Sequence, residues 1–448
     1  MNKLPAELIL NTLKFVSKQE VHALAHVSRR LRSVAVTDKQ FFITYLMTEE
    51  LQFERLAAIE YATAHRLPLA VHINNCVFGT CPPRFNFLMS KASSLIVEIR
   101  ITVPLIAWGA LSTAMSNPAP SLRYFRLDLK GRSDDENRLV LHKNLFSGVV
   151  PNLDTVELSC QSDFQLPTIL KAIKHLTFYL FFHSPDILVA QELPMVERLT
   201  LTPGLANVFL HKIDCRGAHS LHQLDLSISR ISNITTSIWD RLFVRFIPIV
   251  TISAREPSFP GGDNHPLLSG LVGPLAVRTV SDEGEGEEAV VIRSLQVQKQ
   301  LVVREASKVH SRLPQSEFRG PFFVLFHRLV DVDIDSEYLV TLLDVPTTSL
   351  PMLERLRIRI RSVVEVTTLW ALSSHAILCD HLAVVTLTGG DQPIGPDFVS
   401  RLSGALGQTL RPLNDRARLR LVGEVYATAD VSYYTGMFGH VEIVVSDY

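Results

Sequence analysis

The chain is short of the features that mark most specialised classes of protein. It has five cysteines in 448 residues, at positions 76, 81, 160, 215 and 379. So odd and sparse a set makes no disulfide framework, and the expectation is a reducing compartment, cytoplasmic or nuclear. Charge of one sign is not in excess: 44 Lys and Arg face 45 Asp and Glu, a formal net charge of -1. A general nucleic-acid binder needs surplus cations to neutralise phosphates, so no nucleic-acid partner is expected. The same balance argues against a polybasic membrane anchor and an acidic tail. Long hydrophobic runs are missing too. The most apolar stretch, residues 95–115, contains Glu98, Arg100 and Pro104, which make it a poor membrane span. Leu8 to Leu10 is too short an apolar run for a secretory leader, and no small-residue cleavage site follows it. A soluble protein with no membrane partner is expected.

Catalytic signatures are absent as well. The sequence contains no Gly-x-x-x-x-Gly-Lys, His-Glu-x-x-His or Gly-x-Ser-x-Gly. Gly284 and Gly286 lie in an acidic run that repels phosphate. His72, Cys76 and Cys81 cluster in sequence, but no second ligand pair stands at zinc-site spacing, and ordinary half-buried residues explain them better. The expectation is no enzyme, no catalytic residue, no metal and no cofactor.

What is present begins with 47% hydrophobic residues, enough for a large core and against wholesale disorder. The first forty residues read as three short helices. Pro5 and Glu7 suit a helix start, and Leu8, Ile9, Leu13 and Val16 share one face. Ser17 to Glu20 is a capping box for a second helix carrying Val21, Leu24 and Ala25. Ser28 caps a third with Leu31, Val34 and Ala35. Helices this short need a partner to be stable.

The segment Leu4-Pro5-Ala6-Glu7-Leu8-Ile9, with Leu13, Phe15-Val16-Ser17 and Leu24 through Arg32, resembles an F-box. It departs from the pattern at Leu31, where tryptophan is frequent, and at Val16, where leucine is common. Both substitutions stay apolar. The resemblance spans residues 1–42, about a tenth of the chain. It implies docking on a Skp-type adaptor that links to a cullin complex. Leu4, Pro5, Leu8, Ile9, Leu13, Val16, Val27 and Leu31 would supply the apolar contact. Residues 1 to 40 hold seven Lys and Arg against three acids, a local excess that steers an acidic partner.

Residues 41 to 66 have helical spacing at Leu56, Ile59 and Ala62, so 43–93 reads as a helical linker or cap, with a strand over Leu67 to Ile73. From residue 94 onward a template of apolar-x-x-apolar-x-apolar recurs. It fits Leu122, Phe125 and Leu127; Leu153, Val156 and Leu158; Val196, Leu199 and Leu201; and Leu221, Leu224 and Leu226. It returns at Leu329, Val332 and Ile334; Leu353, Leu356 and Ile358; and Leu382, Val385 and Leu387. Weaker copies begin at Ile247 and Phe438. Adjacent starts lie mostly 24 to 31 residues apart, near a leucine-rich-repeat period. Pro120, Pro151, Pro194 and Pro351 precede copies and mark strand starts. The pattern resembles the degenerate leucine-rich repeats that follow many fungal and plant F-boxes, without the regular asparagine. The fold class expected is therefore α/β: a three-helix F-box, then an irregular leucine-rich-repeat solenoid over 94–448. Residues 255–288, rich in Pro, Gly and acid, read as a mobile insertion.

One pair of repeats carries charge in register. Asp331, Asp333 and Asp335 alternate with Val332 and Ile334, and Arg355, Arg357, Arg359 and Arg361 alternate with Leu356, Ile358 and Ile360. Strand periodicity puts each set on one face. Stacked repeats would lay the acidic row beside the basic one, fixing register through weak ion pairs. The same residues are candidates for partner binding, with an unmatched Arg355 or Arg361 open to acidic groups. A cation site is not expected, since the strand holds the carboxylates about 7 Å apart and no glycine wraps an ion.

The resemblance to an F-box followed by degenerate repeats implies a substrate receptor of an SCF-type ubiquitin ligase, binding an unknown target protein through its repeats. Alternatives are a leucine-rich-repeat scaffold unrelated to ubiquitination and, lower, a hydrolase or transferase with dispersed residues.

Overall fold

A computed structural model of the chain describes residues 8–9, 30–31, 43–47, 62–64, 66–74, 81–130, 145–160, 172–180, 188–189, 195–203, 210, 213–216, 218–231, 234–256, 265–281, 288–305, 325–335, 347–360, 376–389, 410–411, 417–422 and 438–444. Among these residues strands dominate a mixed α/β fold. The chain divides into two compact units, Met1–Gly204 with His211–Leu221, and Leu205–Leu210 with His222–Tyr448.

The first unit holds an open, all-parallel sheet. Its strands are β1 (Ile43–Met47), β2 (Leu69–Asn74), β3 (Ile96–Pro104), β4 (Tyr124–Lys130), β5 (Thr155–Cys160), β6 (His175–Leu180) and β8 (Arg198–Pro203), paired in that order. A small parallel pair, β7 (Leu188–Val189) and β9 (Ile213–Asp214), lies apart. Strands β4, β5, β6 and β8 bury alternate apolar residues, as period two requires. Phe125, Leu127, Val156, Leu158, Leu176, Phe178, Leu199 and Leu201 are all buried. Helices α1 (Cys81–Ala92) and α2 (Trp108–Ala114) pack together.

The template leucine has a fixed local role. Leu122, Leu153, Leu221, Leu353 and Leu382 each donate their N–H to the carbonyl three residues back, closing a turn just before the strand. The residue after the leucine, or after Ile173 and Val196 in its place, then donates to the neighbouring unit of the ladder. Arg123 bonds Val97, Asp154 bonds Arg123, Lys174 bonds Asp154 and Glu197 bonds Lys174, at 2.8 to 3.0 Å. Turn and ladder together set the register.

In the second unit the sheet order is β10 (Gln223–Arg230), β11 (Ile249–Glu256), β14 (Gln300–Glu305), β13 (Glu288–Ser294), β12 (Leu275–Ser281), β15 (Leu329–Asp335), β17 (Arg355–Ile360), β19 (Val384–Gly389), β21 (Arg418–Val422) and β22 (His440–Val444). All pairs are parallel except those of β13, which runs antiparallel to both neighbours. Three short strands, β16 (Thr347–Ser349), β18 (Ala376–Leu378) and β20 (Leu410–Arg411), form a second parallel sheet. Helices α3 (Thr236–Arg241) and α4 (Pro266–Ser269) adjoin.

Two expectations differ from the structure. Residues 43–47, expected in a helix of the linker, form β1, because parallel pairing to β2 outweighs local periodicity. Residues 265–281 and 288, expected in a mobile insertion, contribute α4 and a hairpin built into the sheet. The turn formers there serve as connections: Gly273 sits at φ 75°, which side chains rarely adopt.

A buried polar block anchors the hairpin. His265, 5% exposed, accepts the Leu267 N–H at its Nδ1 (3.3 Å) and meets Trp239 edge-on at 5.7 Å. The Lys299 amine is buried, donates to the carbonyls of Val244 and Ile247, and is pushed down to about 8 by desolvation. Burial likewise pushes His265 from 6.5 to about 4. The unfolded chain binds a proton at this site below 6.5, whereas the folded chain binds it only near 4. Stability is therefore intact above that window and falls as pH drops through it. Wild type should lose about 2 kcal/mol more than His265→Asn between those limits in urea unfolding. Parallel pH profiles would show that His265 is not held neutral.

Candidate functional site

The exposed face of the second unit carries rows of charge set by strand register. Asp331 lies opposite Arg355, Asp333 opposite Arg357 and Asp335 opposite Arg359. Beneath them Val332, Leu356, Val385 and Leu419 form one buried row, and Ile334, Ile358, Leu387 and Leu421 another.

The ion pairs differ in depth. Arg355 approaches Asp331 at 3.3 Å with both groups substantially exposed. Arg355 is therefore paired, not open as its sequence suggested, because the register of β15 places Asp331 directly across. Asp333 is a hub, with Arg278, Arg357 and Arg359 at 3.6, 3.6 and 3.5 Å. These are ion pairs beyond hydrogen-bond length, and Asp333 Oδ1 is buried with no hydrogen-bond partner. Arg359 reaches deeper, donating from Nε to Asp335 at 2.9 Å and from Nη2 to Thr279 Oγ1 at 2.6 Å. The Thr279 hydroxyl donates to Asp335 Oδ2 at 3.1 Å and accepts the Asp335 N–H at 2.9 Å. Thr279 and Asp335 are 1% and 4% exposed, so this knot ties the hairpin to β15 and β17 inside the fold.

Around these rows opens a groove of about 830 Å³. Its arginines are Arg278, Arg293, Arg355, Arg357, Arg418 and Arg420, against three acids, Asp331, Asp333 and Glu442. Arg420 pairs with Glu442 at 3.0 Å. Arg293 and Arg418 are exposed and make no ion pair among the described residues. Guanidinium groups stay protonated and bind carboxylate or phosphate with fixed geometry. What this surface can do chemically is hold anions.

The first unit carries a more balanced polar face. Glu98, 6% exposed, accepts from Arg100 at 2.6 Å and hydrogen-bonds His72 at 2.9 Å. Burial alone would raise its pKa, but the His72 hydrogen bond and the Arg100 charge hold it below the ordinary range. Arg100 lies over Tyr124 at 4.9 Å, and Arg126 pairs with Glu157 at 3.6 Å. Burial first, then the Glu157 hydrogen bond, raises Tyr124. His72 thus serves a carboxylate. No group of three metal-ligating side chains occurs among the described residues.

Of the residues expected to meet an adaptor, Leu8, Ile9 and Leu31 are described, all helical; Leu8 is 51% exposed and Ile9 6%. Leu4, Pro5, Leu13, Val16 and Val27 lie outside the described residues, as does Arg361 of the basic row. Sequence reasoning missed Arg278, Arg293, Thr279, Arg418 and Arg420. A signal for the last pair existed: Arg418-Leu-Arg-Leu repeats the form of Arg355-Leu-Arg-Ile.

Residues 1–42 match the F-box domain. No curated protein matches the sequence. F-box domains in general bind Skp-type adaptors of cullin complexes, and that role belongs to a receptor subunit. No helix among the described residues is long and apolar enough to cross a membrane.

The charged rows lend themselves to a double-mutant cycle. Asp333→Arg should cost about 2 to 3 kcal/mol, because it places a fourth cation among three. Adding Arg357→Asp should recover about 0.5 to 1 kcal/mol in denaturant unfolding. Strictly additive effects would mean the two rows are not coupled.

Proposed function

We propose that the chain is the substrate-receptor subunit of an SCF-type cullin-RING ubiquitin ligase. The observation that carries this reading is the F-box match over residues 1–42. In it, the F-box docks on a Skp-type adaptor through Leu4, Pro5, Leu8, Leu13, Val16, Val27 and Leu31, while Ile9, also expected there, backs the contact from the interior. Leu8 is the exposed member of its pair and presents its side chain outward; Ile9 is buried and supports the helix from within.

The strand units behind the F-box are irregular leucine-rich repeats in this reading. Support comes from the recurring leucine turn and the parallel ladder. The short strands β16, β18 and β20 alternate in chain order with β15, β17, β19 and β21, so the chain passes between two sheets in each unit. The repeats hold a target protein, and a separate ubiquitin-conjugating enzyme acts on its lysines. Catalysis by proximity needs no nucleophile, metal or cofactor from the receptor itself. Such a receptor works in the cytoplasm or nucleus, where the ligase scaffold resides.

Immobilised adaptor should retain the wild-type chain and bind a Leu8→Asp, Leu13→Asp double variant at least tenfold more weakly, since two carboxylates would be buried in an apolar contact. Equal retention of both, or of neither, would contradict the receptor reading and favour a repeat scaffold without an adaptor.

A further inference from the structure

We infer that the arginine groove of the second unit takes an extended acidic segment of a protein, held chiefly by Arg355, Arg357, Arg418 and Arg420. The inference rests on the receptor reading and names the chemistry that a target presents to it.

Two rows of the sheet carry the argument. One runs Arg293, Ala276, Asp331, Arg355, Val384, Arg418 across neighbouring strands. The other runs Arg278, Asp333, Arg357, Thr386, Arg420, Glu442. Between the arginine pairs of β17 and β21 stand only Val384 and Thr386 of β19. Strand spacing sets the two pairs about 10 Å apart, and a two-residue rise sets the members of each pair about 7 Å apart. Four guanidinium groups therefore frame an uncharged floor.

Their internal compensation is incomplete. Asp331 serves Arg355, Glu442 serves Arg420, and Asp333 is divided among Arg278, Arg357 and Arg359. Arg418 has no ion pair among the described residues. The groove lining as a whole has six arginines to three acids. That surplus sits in a chain whose formal net charge is -1. A local field of one sign in a concave site raises the on-rate and affinity of an oppositely charged partner.

Geometry favours a peptide over a nucleic acid. A segment extended as a polyproline II helix advances about 3.1 Å per residue with three residues per turn, so acidic side chains at every third position share one face and match the step of about 10 Å from β17 to β21. A nucleic acid would bring an unbroken row of phosphates against Asp331, Asp333 and Glu442. The groove lining also contains no aromatic side chain on which bases could stack.

Fluorescence anisotropy on the full chain tests the inference. The probe is a labelled peptide of about ten residues with glutamate at every third position and glycine or serine elsewhere. Binding should be saturable and weaken with added salt. It should fall about tenfold or more when the glutamates become glutamine, and similarly for an Arg355→Gln, Arg418→Gln variant. Arg123→Gln, in the other unit, should leave it unchanged. Equal binding of the two peptides, or binding of neither, overturns the inference. Displacement of the peptide by a thymidine oligonucleotide at lower concentration overturns it in favour of nucleic acid. The peptide comparison uses wild-type protein, so it decides even if the arginine variant does not fold. A chain that the adaptor retains but that ignores the acidic peptide removes this inference and leaves the receptor reading standing. A chain with the opposite behaviour removes the receptor reading.

Discussion

One hydrogen-bonded relay holds the rest in place. At Leu122, Leu153, Leu221, Leu353 and Leu382 the leucine N–H closes a turn, and residues entering the strands donate to carbonyls of the preceding unit. In the second unit Glu354 bonds Val330, Ala383 bonds Glu354, Arg418 bonds Ala383 and Gly439 bonds Ala417, at 2.8 to 3.1 Å. Buried backbone groups left unpaired are costly, so a slip of one residue would break these bonds and turn every apolar side chain outward. Register follows from that penalty together with burial of one leucine, valine or isoleucine per row, worth about 1.5 to 3 kcal/mol each.

With register fixed, the charges have little freedom. Asp331 meets Arg355 and Asp335 meets Arg359 because their strands are locked by the apolar rows beneath. Exposed pairs of this kind contribute little stability on their own. The Thr279, Asp335 and Arg359 knot is a different case, since it is buried and hydrogen-bonded, and it joins an inserted hairpin to the regular strands. Beyond β17 the acidic partners thin out while arginines continue on β21. Arg420 still finds Glu442 on β22, whereas Arg418 has no ion pair among the described residues, so the proposed binding falls where internal pairing is incomplete.

Much of this was legible in the sequence. The apolar template located β4, β5, β8, β10, β11, β15, β17, β19 and β22, because period-two burial leaves a direct trace in leucine and valine spacing. The alternation of aspartate and arginine foretold the paired rows for the same reason. β1 was missed because its pairing with β2 is a tertiary fact that its own spacing does not encode. The hairpin of β12 and β13 was missed because its turn formers and acidic run resemble a solvated loop until the flanking Val277, Val290 and Ile292 are seen buried. The groove as a site was not legible, because Arg278, Arg293, Arg418 and Arg420 come from separate segments that only the sheet assembles.

One chain joins an F-box match over residues 1–42 to an arginine-lined groove. Ubiquitin transfer in a reconstituted adaptor–cullin ligase tests that union most directly, with a lysine-bearing reporter protein that carries the acidic segment. Transfer should occur with the wild-type chain and fall at least tenfold when either Leu13→Asp or Arg418→Gln is introduced alone. Transfer that persists undiminished through both substitutions would contradict it.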